Sequence, residues 1–478
     1  MSLKQQAFTG VVWTFAEQFG SQIVGFLTSL ALARLLLPSD FGTIALFGVV
    51  MAIAKVFLDS GLVGSLIRTT DADERDYSTV FWFNLLAGTI LYGVVFFVAP
   101  LVSEFYTLPL LTPLIRVYAI ILIIDSLVAV QGVQFVKNLD FKTNFKIQLP
   151  SILVGGIAGI SFAYFGFGAW SLVYASLIQN MLYTLQYWLY STWRPSFLFD
   201  KAKFKYHFTF GSRLMLSSLL DVTFNNIYTI LIGKKYSTAE LGYYNRADSL
   251  KQLPVNNISN ALNKVSFPLF AKMSHDDILL KEAYRKILSI VIFVIAPIIA
   301  FMVVSAEPLI RFLLTDKWLP AVPYFQILAI AGVLYPIHAY NLNVLQVKGR
   351  SDLFLKLEIF KKILVVLVVL ASLPFGILGL LWGQVITSIL ALFINTYYTG
   401  KFIKYTVFSQ VRDLVPSLLI ASFCALAVYL IDRFYIGNSI DLIRLCILLL
   451  LYTFFYLGIV LLTKGKEIGI LKELIFKR

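Results

Sequence analysis

The segment Pro38-Ser39-Asp40-Phe41-Gly42 has a looser copy, Thr238-Ala239-Glu240-Leu241-Gly242, 200 residues further along the chain. Each copy separates two long apolar segments, which are residues 10–33 and 41–67 around the first copy and residues 208–233 and 241–270 around the second. A hairpin repeated at this distance in so apolar a chain predicts two homologous membrane lobes. Membrane proteins built from two such lobes are mostly transporters whose binding site lies between the repeats. The repeat therefore predicts transport rather than catalysis.

The composition is that of a polytopic membrane protein. Of the 478 residues, 59% are hydrophobic and 14% are charged, whereas soluble chains carry about 25% charged residues. A helix needs roughly 20 apolar residues to cross the hydrocarbon core, and the chain has several charge-free stretches of that length or more: 77–103, 147–193, 287–306, 318–347 and 363–400. Cys424 and Cys446 lie inside apolar segments, and the three histidines lack ligand spacing. The sequence therefore predicts neither a metal site nor a cofactor.

The pattern predicts an all-α protein with about fourteen membrane-spanning helices, at 10–33, 41–67, 79–103, 111–134, 147–166, 168–192, 208–233, 241–270, 286–305, 321–346, 353–373, 376–400, 413–431 and 442–463. When the connections are assigned alternately to the two sides, one side carries 25 of the 40 Lys and Arg residues and the other carries 6. Because basic loops remain in the cytoplasm, both termini are predicted to be cytoplasmic. The net charge of +14 thus reflects topology and not nucleic-acid binding.

A second landmark defines the repeat. Phe165-Gly166 between the fifth and sixth predicted helices has a counterpart in Phe375-Gly376, 210 residues later. Six helices per repeat give both repeats the same polarity, related by an axis along the membrane normal, with a central cavity between the two bundles. The predicted organisation is an N-lobe at 1–192, a cytoplasmic connector at 193–206, a C-lobe at 207–403, a helix pair at 404–463 and a basic amphipathic tail at 464–478.

Nine of the basic residues lie within or at the ends of predicted helices, where a charge at the bilayer centre costs on the order of 3 kcal/mol unless it faces a cavity or a partner. Arg444, Lys361 and Lys362 are close to helix ends, where long side chains can extend to the headgroups. The others, together with nearby amides, predict a cationic, amide-rich cavity that binds an anionic, sugar-bearing substrate. Its predicted members are Arg246, Lys251, Lys264, Lys55, Arg213, Asn257 and Asn260.

The predicted helix at 241–270 is the least lipid-like of the fourteen. Arg246, Asn257, Asn260 and Lys264 fall on one face at 3.6 residues per turn. The alternative reading of this face is polar packing between the lobes. On the second predicted helix, Lys55 and Asp59 are spaced as an (i, i+4) pair, and the alternative there is a closed salt bridge. Asp59 and Asp221 are the candidates for ion coupling, because a carboxylate in a low-dielectric cavity can titrate near neutral pH.

Two longer motifs resemble a known family. Leu32-Ala33-Arg34-Leu35-Leu36-Leu37-Pro38-Ser39-Asp40-Phe41-Gly42, followed by Leu58-Asp59-Ser60-Gly61-Leu62, resembles the N-terminal signature of Wzx-type polysaccharide transporters. Leu241-Gly242-Tyr243-Tyr244-Asn245-Arg246-Ala247 resembles the matching signature of the second lobe. These transporters belong to the multidrug/oligosaccharidyl-lipid/polysaccharide (MOP) exporter superfamily, and the resemblance is closest to the colanic-acid exporter branch.

This resemblance implies a MOP-type fold and the flipping of an undecaprenyl-diphosphate-linked oligosaccharide across a bacterial inner membrane, driven by an ion gradient. The partners that it implies are this glycolipid and membrane lipid, and it leaves open a polysaccharide polymerase and chain-length machinery. Arg246 lies inside the family motif. Arg34 and Asp40 also match, but they lie at the outer end of the first hairpin, where a gate or a structural turn, with Asp40 capping the following helix, is expected.

Two other functions compete with this prediction. Asp71-Ala72-Asp73 has the D-x-D pattern of metal-dependent glycosyltransferases, although no soluble nucleotide-binding domain surrounds it. A small-molecule or multidrug antiporter of the same superfamily is the main alternative, and the cations on the 241–270 helix argue against it because they would repel cationic drugs.

Overall fold

The structure, a computed structural model, describes residues 3–59, 61–437, 439–463 and 469, so the predicted tail at 464–478 lies outside the described residues except for Gly469. The described residues form helices joined by turns and loops, with no strand among them. The first ten helices are α1 (Leu3–Leu35), α2 (Pro38–Asp59), α3 (Leu62–Arg68), α4 (Glu74–Tyr106), α5 (Leu111–Tyr118), α6 (Ile120–Ser126), α7 (Ala129–Lys137), α8 (Phe141–Tyr164), α9 (Trp170–Tyr190) and α10 (Lys201–Asn225). The others are α11 (Ile227–Lys235), α12 (Thr238–Lys272), α13 (Asp277–Val304), α14 (Ala306–Leu314), α15 (Ala321–Val347), α16 (Ser351–Ser372), α17 (Gly376–Ile403), α18 (Val407–Ile431) and α19 (Asp441–Leu462).

Many of these helices are suited to a membrane. Within the described residues, 8 segments are long and apolar enough to cross one, or up to 10 if two bent helix pairs each count as one span. Helices dominate because lipid offers the backbone no hydrogen-bond partners, so each segment must satisfy its own amide groups. One of the 8 segments, Ser351–Ile403, contains both α16 and α17, which pack against each other across a break at Gly376, where φ is +74°. This segment is therefore a helical hairpin.

Two segments predicted as single helices are bent in the structure. The predicted helix at 111–134 is divided into α5, α6 and α7, with a bend of 43° before α7, and the one at 208–233 is divided into α10 and α11, with a bend of 42°. At each bend a polar side chain binds a carbonyl group of the preceding turn. The Ser126 hydroxyl donates to the carbonyl of Ile123 at 2.6 Å, and the Asn226 amide donates to that of Val222 at 2.8 Å. Such bonds compete with the helical backbone pattern and distort it.

Packing divides the chain into two compact units, residues 1–242 and 243–478. The first unit contains α10 and α11, which pack against α2, α3 and α4. The sequence repeat groups these two helices with the C-lobe at 207–403, and that division, which follows homology rather than packing, stays a prediction.

The two copies of the repeated segment have the same local geometry. The Asp40 carboxylate accepts the backbone N–H of Leu37 at 2.9 Å, and the Glu240 carboxylate accepts that of Ser237 at 3.1 Å. Asp40 and Glu240 both lie in the first turn of a helix, α2 and α12 respectively. Each acidic side chain therefore reaches back three residues to an amide that the helix leaves without a partner.

The two copies are also in direct backbone contact within the first unit. A Cβ atom at Gly42 would overlap the carbonyl oxygen of Thr238, and a Cβ atom at Gly242 would overlap that of Pro38. The contact is reciprocal, since each glycine faces the first residue of the other helix. Only glycine leaves room for two backbones this close.

The C-terminal helices α18 and α19 are joined by a buried ion pair. The Arg444 guanidinium donates to both carboxylate oxygens of Asp432, at 2.7 and 2.6 Å, and both side chains are buried. The expectation that Arg444 extends to the headgroups is therefore wrong, because the carboxylate of Asp432, the residue directly after α18, neutralises it inside the protein. The Tyr456 hydroxyl donates to the carbonyl of Phe293 at 3.0 Å and fixes α19 to α13.

Candidate functional site

In the first unit, a cavity of about 190 Å³ is lined by polar side chains from three helices. Lys55 and Asp59 come from α2, Asn84 comes from α4 and Asp125 comes from α6. Leu58, Val63 and Ala129 complete the lining. The cavity therefore combines two carboxylates, one ammonium group and one amide among otherwise apolar helices.

Lys55 pairs with Asp125 and not with Asp59. The Lys55 ammonium lies 2.8 Å from the Asp125 carboxylate, so the alternative reading of a closed (i, i+4) bridge between Lys55 and Asp59 is wrong. The bend in the 111–137 region brings Asp125 to α2, and this tertiary neighbour takes the ammonium group. Asn84 is buried, and its side-chain oxygen has no hydrogen-bond partner among the described residues. The cavity thus keeps one amide oxygen available to a ligand.

In the second unit, α12 carries the motif residue Arg246. Its side chain is 9% exposed, and the guanidinium lies 5.4 Å from the centre of the Trp318 ring, which is itself fully buried. A cation on the face of an indole ring is stabilised by the quadrupole of the ring. Trp318 lies in a short turn before α15, so Arg246 has a ring contact with a residue 72 positions away in sequence.

Lys251 is held within α12 and by α15. Its ammonium group pairs with Asp248, one turn earlier. Its aliphatic part packs on Gly332, where an added Cβ atom would lie 2.8 Å from Lys251 Cγ. The charge of Lys251 is therefore already compensated locally.

The other predicted residues of this polar face differ in exposure. Lys264 and Asn260 are exposed, and Asn257 is half-buried. Nearby, Asn343 on α15 donates to Asn263 at 2.6 Å. The face is therefore part packing surface and part accessible surface, and its role in substrate binding stays a prediction.

The other predicted site residues lie in the first unit. Asp221 is exposed on α10, and the backbone of Arg213 is in the same helix, although its side chain is outside the described part. Arg34 is exposed in the last turn of α1. Asp40 accepts the N–H of Leu37, as described above, so its geometry is that of a helix-start turn. The structure brings Lys55 and Asp59 into one cavity, whereas Arg246 and Lys251 lie on another helix.

Sequence reasoning missed Asp125 and Asn84. Asp125 is the single charged residue in the apolar stretch 117–136, and an isolated carboxylate in such a stretch normally faces a partner or a cavity. That signal was present in the sequence. Nothing comparable marks Asn84, because an asparagine in a membrane helix is not unusual, and only the packing of α4 shows that it lines the cavity.

The D-x-D pattern has a structural role. The Asp73 carboxylate accepts the N–H of Asp76 at 3.0 Å, and the Asp76 carboxylate accepts the N–H of Asp73 at 2.9 Å. This reciprocal capping box begins α4. Among the described residues, no group of three or more acidic, histidine or cysteine side chains could hold a metal ion. Asp73 of the pattern is thus explained by helix capping.

Comparisons with known proteins complete this picture. Residues 31–323 match the family described as polysaccharide biosynthesis protein. The teichuronic acid biosynthesis protein TuaB of Bacillus subtilis (strain 168) is 27% identical over 430 residues, which cover 88% of each chain. The lipopolysaccharide biosynthesis protein WzxC of Escherichia coli (strain K12) is 24% identical over 437 residues, covering 89% of this chain and 87% of WzxC.

Among solved structures, the lipid II flippase MurJ in an inward closed conformation superposes with a TM-score of 0.75 at 16% identity, covering 94% of this chain and 99% of MurJ. This likeness shows that the two chains share a fold. The family match covers more than half of the chain, and the sequence relatives cover most of it. The chain therefore belongs to the polysaccharide biosynthesis protein family and is a transporter of the Wzx type rather than an enzyme.

Proposed function

We propose that the protein flips an undecaprenyl-diphosphate-linked oligosaccharide from the inner to the outer leaflet of a bacterial inner membrane, as a step in polysaccharide export. The family supports a role in polysaccharide biosynthesis. WzxC and TuaB act in the biosynthesis of cell-surface polymers according to their names, and MurJ is a flippase for lipid II. A substrate made of a lipid, a diphosphate and sugars presents the anionic and hydroxyl groups that the predicted cations and amides can bind.

The observation that carries the proposal is the composition of α12. This helix has 35 residues and includes Arg246, Lys251 and Lys264, and it packs in a unit whose other long helices are strongly apolar. A cation in a membrane helix needs a compensating partner or ligand. Arg246 lies on the face of an aromatic ring, and a planar guanidinium group is suited to bidentate binding of a phosphate or diphosphate.

The predicted substrate residues remain part of this proposal. We assign phosphate binding to Arg246, Lys264, Lys251 and Lys55, and hydroxyl recognition to Asn257 and Asn260. Arg213 belongs to the same predicted set. Lys55 and Lys251 are each paired with a carboxylate, Asp125 and Asp248 respectively, which competes with the substrate for the ammonium group.

We propose ion coupling through the cavity of the first unit. Asp59 lines it together with Asp125 and Lys55, so protonation or cation binding at either carboxylate changes the electrostatic attraction between that carboxylate and the Lys55 ammonium group. Asp221 is the second predicted candidate and lies on α10. Arg34 and Asp40 belong to the turn that faces the second copy of the repeat, which is suited to a gate at the outer end.

The proposed topology has fourteen crossings with both termini in the cytoplasm. It is reached if the Ser351–Ile403 hairpin counts twice, each bent pair counts once, and the long but more polar helices α1, α9 and α12 also cross. Alternating access then arises from movement between two lobes with parallel pseudo-two-fold symmetry.

The decisive experiment uses purified protein in liposomes that contain undecaprenyl-diphosphate oligosaccharide with a lectin-readable sugar. We expect the wild type to move the sugar across the bilayer, Arg246→Ala and Lys264→Ala to abolish or strongly reduce this movement, and Arg246→Lys to retain part of it. Arg433→Ala is the matched control, since Arg433 is an exposed arginine outside the proposed site. Absence of movement in the wild type, together with gradient-driven uptake of small cations, would instead indicate the multidrug-antiporter alternative.

The same liposomes test the coupling residues. We expect Asp59→Asn to remove the dependence of flipping on an imposed ion gradient, because the cavity then keeps only one carboxylate for Lys55. Wild-type gradient dependence in both Asp59→Asn and Asp221→Asn would exclude these two residues as coupling groups.

A further inference from the structure

The connector between the sequence repeats is fixed to α4. The Trp193 indole N–H donates to the Glu74 carboxylate at 2.7 Å, and the Trp82 indole N–H donates to the carbonyl of Ser196 at 2.8 Å. The N–H of Ser196 donates to the Ser78 hydroxyl at 3.0 Å. The backbone and side chains of residues 191–200 are thus held by one surface of α4, which is not the behaviour of a flexible linker.

The start of α10 is tied to the same helix. The Asp200 carboxylate caps α10 by accepting the N–H groups of Ala202 and Lys203, and the N–H of Asp200 donates to the Thr79 hydroxyl at 3.0 Å. The Lys203 ammonium lies 2.8 Å from the Asp76 carboxylate. This hydrogen bond raises the pKa of Lys203, so the ammonium form and its contact persist over the physiological pH range.

His207, one turn further along α10, completes the attachment. It is fully buried, with Nε2 3.0 Å from the Asp76 carboxylate and Nδ1 2.8 Å from the Ser65 hydroxyl of α3. The neutral tautomer with hydrogen on Nε2 satisfies both contacts, because it donates to the carboxylate and accepts from the hydroxyl. We call Ser65, Asp76, Lys203 and His207 the α10 anchor.

Ser65, Asp76 and His207 are buried and Lys203 is half-buried. Every member of this polar network has a partner, and such networks hold their elements in one arrangement. Pulling α10 away from α3 and α4 would break the contacts of Asp76 with Lys203 and His207 and that of His207 with Ser65, and the Asp76 carboxylate would keep only its helix-capping partner. The first unit as defined by packing, residues 1–242, includes this region entirely.

We propose that the α10 anchor keeps the cytoplasmic end of α10 attached to α3 and α4 throughout the transport cycle, so that the connector at 191–200 is not a hinge. Asp76 and His207 are then positioning residues. The sequence repeat predicts the opposite, since it makes α10 the first helix of the second lobe and places the moving boundary at the connector. This inference rests on the proposed function only in the experiments that measure flipping.

Cross-linking separates these two possibilities. Both cross-linking variants are made in full-length protein that also carries Cys424→Ala and Cys446→Ala. The first variant carries Ser78→Cys and Ser196→Cys, because the hydroxyl oxygens of these two serines are 3.2 Å apart in the native protein. The second variant carries Phe83→Cys and Phe204→Cys, because the ring centres of these two phenylalanines are 4.8 Å apart in the native protein. Its two cysteines are bridged with a short bifunctional thiol reagent. We expect flipping by the bridged proteins to stay within about twofold of the reduced proteins, because no gating motion is blocked. Flipping that stops on bridging and returns on reduction would overturn the proposal.

A distance measurement gives an answer that does not need transport. Spin labels at Arg75 and Lys201, both exposed, report on the α4–α10 attachment in proteoliposomes, with and without undecaprenyl diphosphate. A reference pair at Arg75 and Glu282, one in each unit, reports whether the units move. We expect the reference distance to change while the α4–α10 distance does not. A change in the α4–α10 distance as large as that of the reference pair would refute the anchor.

The anchor residues themselves supply the last test. We expect His207→Ala and Asp76→Asn to broaden the Arg75–Lys201 distance distribution and to slow flipping, whereas His275→Ala, at an exposed histidine, changes neither. An unchanged distribution in both anchor variants would contradict the proposed role. If the wild type itself flips no lipid, the proposed function fails, and the distance measurements still decide the inference.

Discussion

At the scale of single residues, Gly42 and Gly242 allow the closest backbone contact between the two copies of the repeat. A methyl group at either position would overlap a carbonyl oxygen of the other copy. We expect Gly42→Ala and Gly242→Ala each to lower the free energy of unfolding by about 1–3 kcal/mol, the range for overpacking a tight contact. Thermal unfolding in detergent measures this.

Gly48 is the control for this prediction. It lies in the same helix as Gly42, but an added Cβ atom would meet no atom within 4 Å. Gly48→Ala is therefore expected to be neutral or to stabilise by up to about 1 kcal/mol, because alanine has the higher helix propensity. Equal effects at positions 42 and 48 would show that the backbone contact is not tight in solution.

Lys55 and Asp125 provide a second prediction at this scale. A double-mutant cycle with Lys55→Met and Asp125→Leu should show a coupling of about 1–2 kcal/mol, since a charged hydrogen bond among apolar helices is screened less than one at the surface. The comparison pair is Arg350 and Asp352, which are bonded at 2.8 Å. The two cations are equally exposed, at 45%, but the Asp352 carboxylate is 52% exposed and the Asp125 carboxylate 24%. The coupling between Arg350 and Asp352 should be below about 1 kcal/mol. A larger coupling in the exposed pair would contradict this ranking.

At the scale of elements, the Arg444–Asp432 pair joins α18 to α19. We expect Arg444→Leu to destabilise the protein by about 3–5 kcal/mol, because it leaves the Asp432 carboxylate buried without its partner. The double variant Arg444→Leu/Asp432→Leu should recover most of this loss, since two apolar side chains can replace a buried ion pair. Chemical denaturation in detergent measures both, and Arg433→Leu at an exposed neighbouring position is the control. A double variant no better than the single one would mean that the ion pair has a role beyond neutralising its own charges.

Most elements were predictable from the sequence, and their bends were not. Charge-free stretches located α4, α8, α15 and the α16–α17 hairpin, because the hydrophobic thickness of a bilayer sets the length of each helix. The bends at Ser126 and Asn226 depend on which polar side chain binds a carbonyl group in the preceding turn, and many serines and asparagines in helices do not do so. The amphipathic helix α14 was missed because its nine residues are too few for a membrane span.

At the scale of the whole molecule, the distribution of basic residues makes a prediction about orientation. In protein lacking Cys424 and Cys446, a cysteine at Arg350 should react with a membrane-impermeant thiol reagent only after the membrane of spheroplasts is permeabilised. A cysteine at Lys317 should react in intact spheroplasts, because its connection belongs to the side with few basic residues. The opposite labelling pattern would reverse the topology.

The sequence by itself determined the membrane class, the duplicated hairpin, the family and Arg246 as a motif residue. These follow from composition, period and local motifs, which are properties of neighbouring residues. Only the tertiary structure decided that Lys55 pairs with Asp125 rather than with Asp59, that Arg246 lies on Trp318, and that His207 joins α10 to α4. Each of these contacts connects residues that are at least 70 positions apart, and the choice among such partners depends on how the helices pack, which local pattern does not encode.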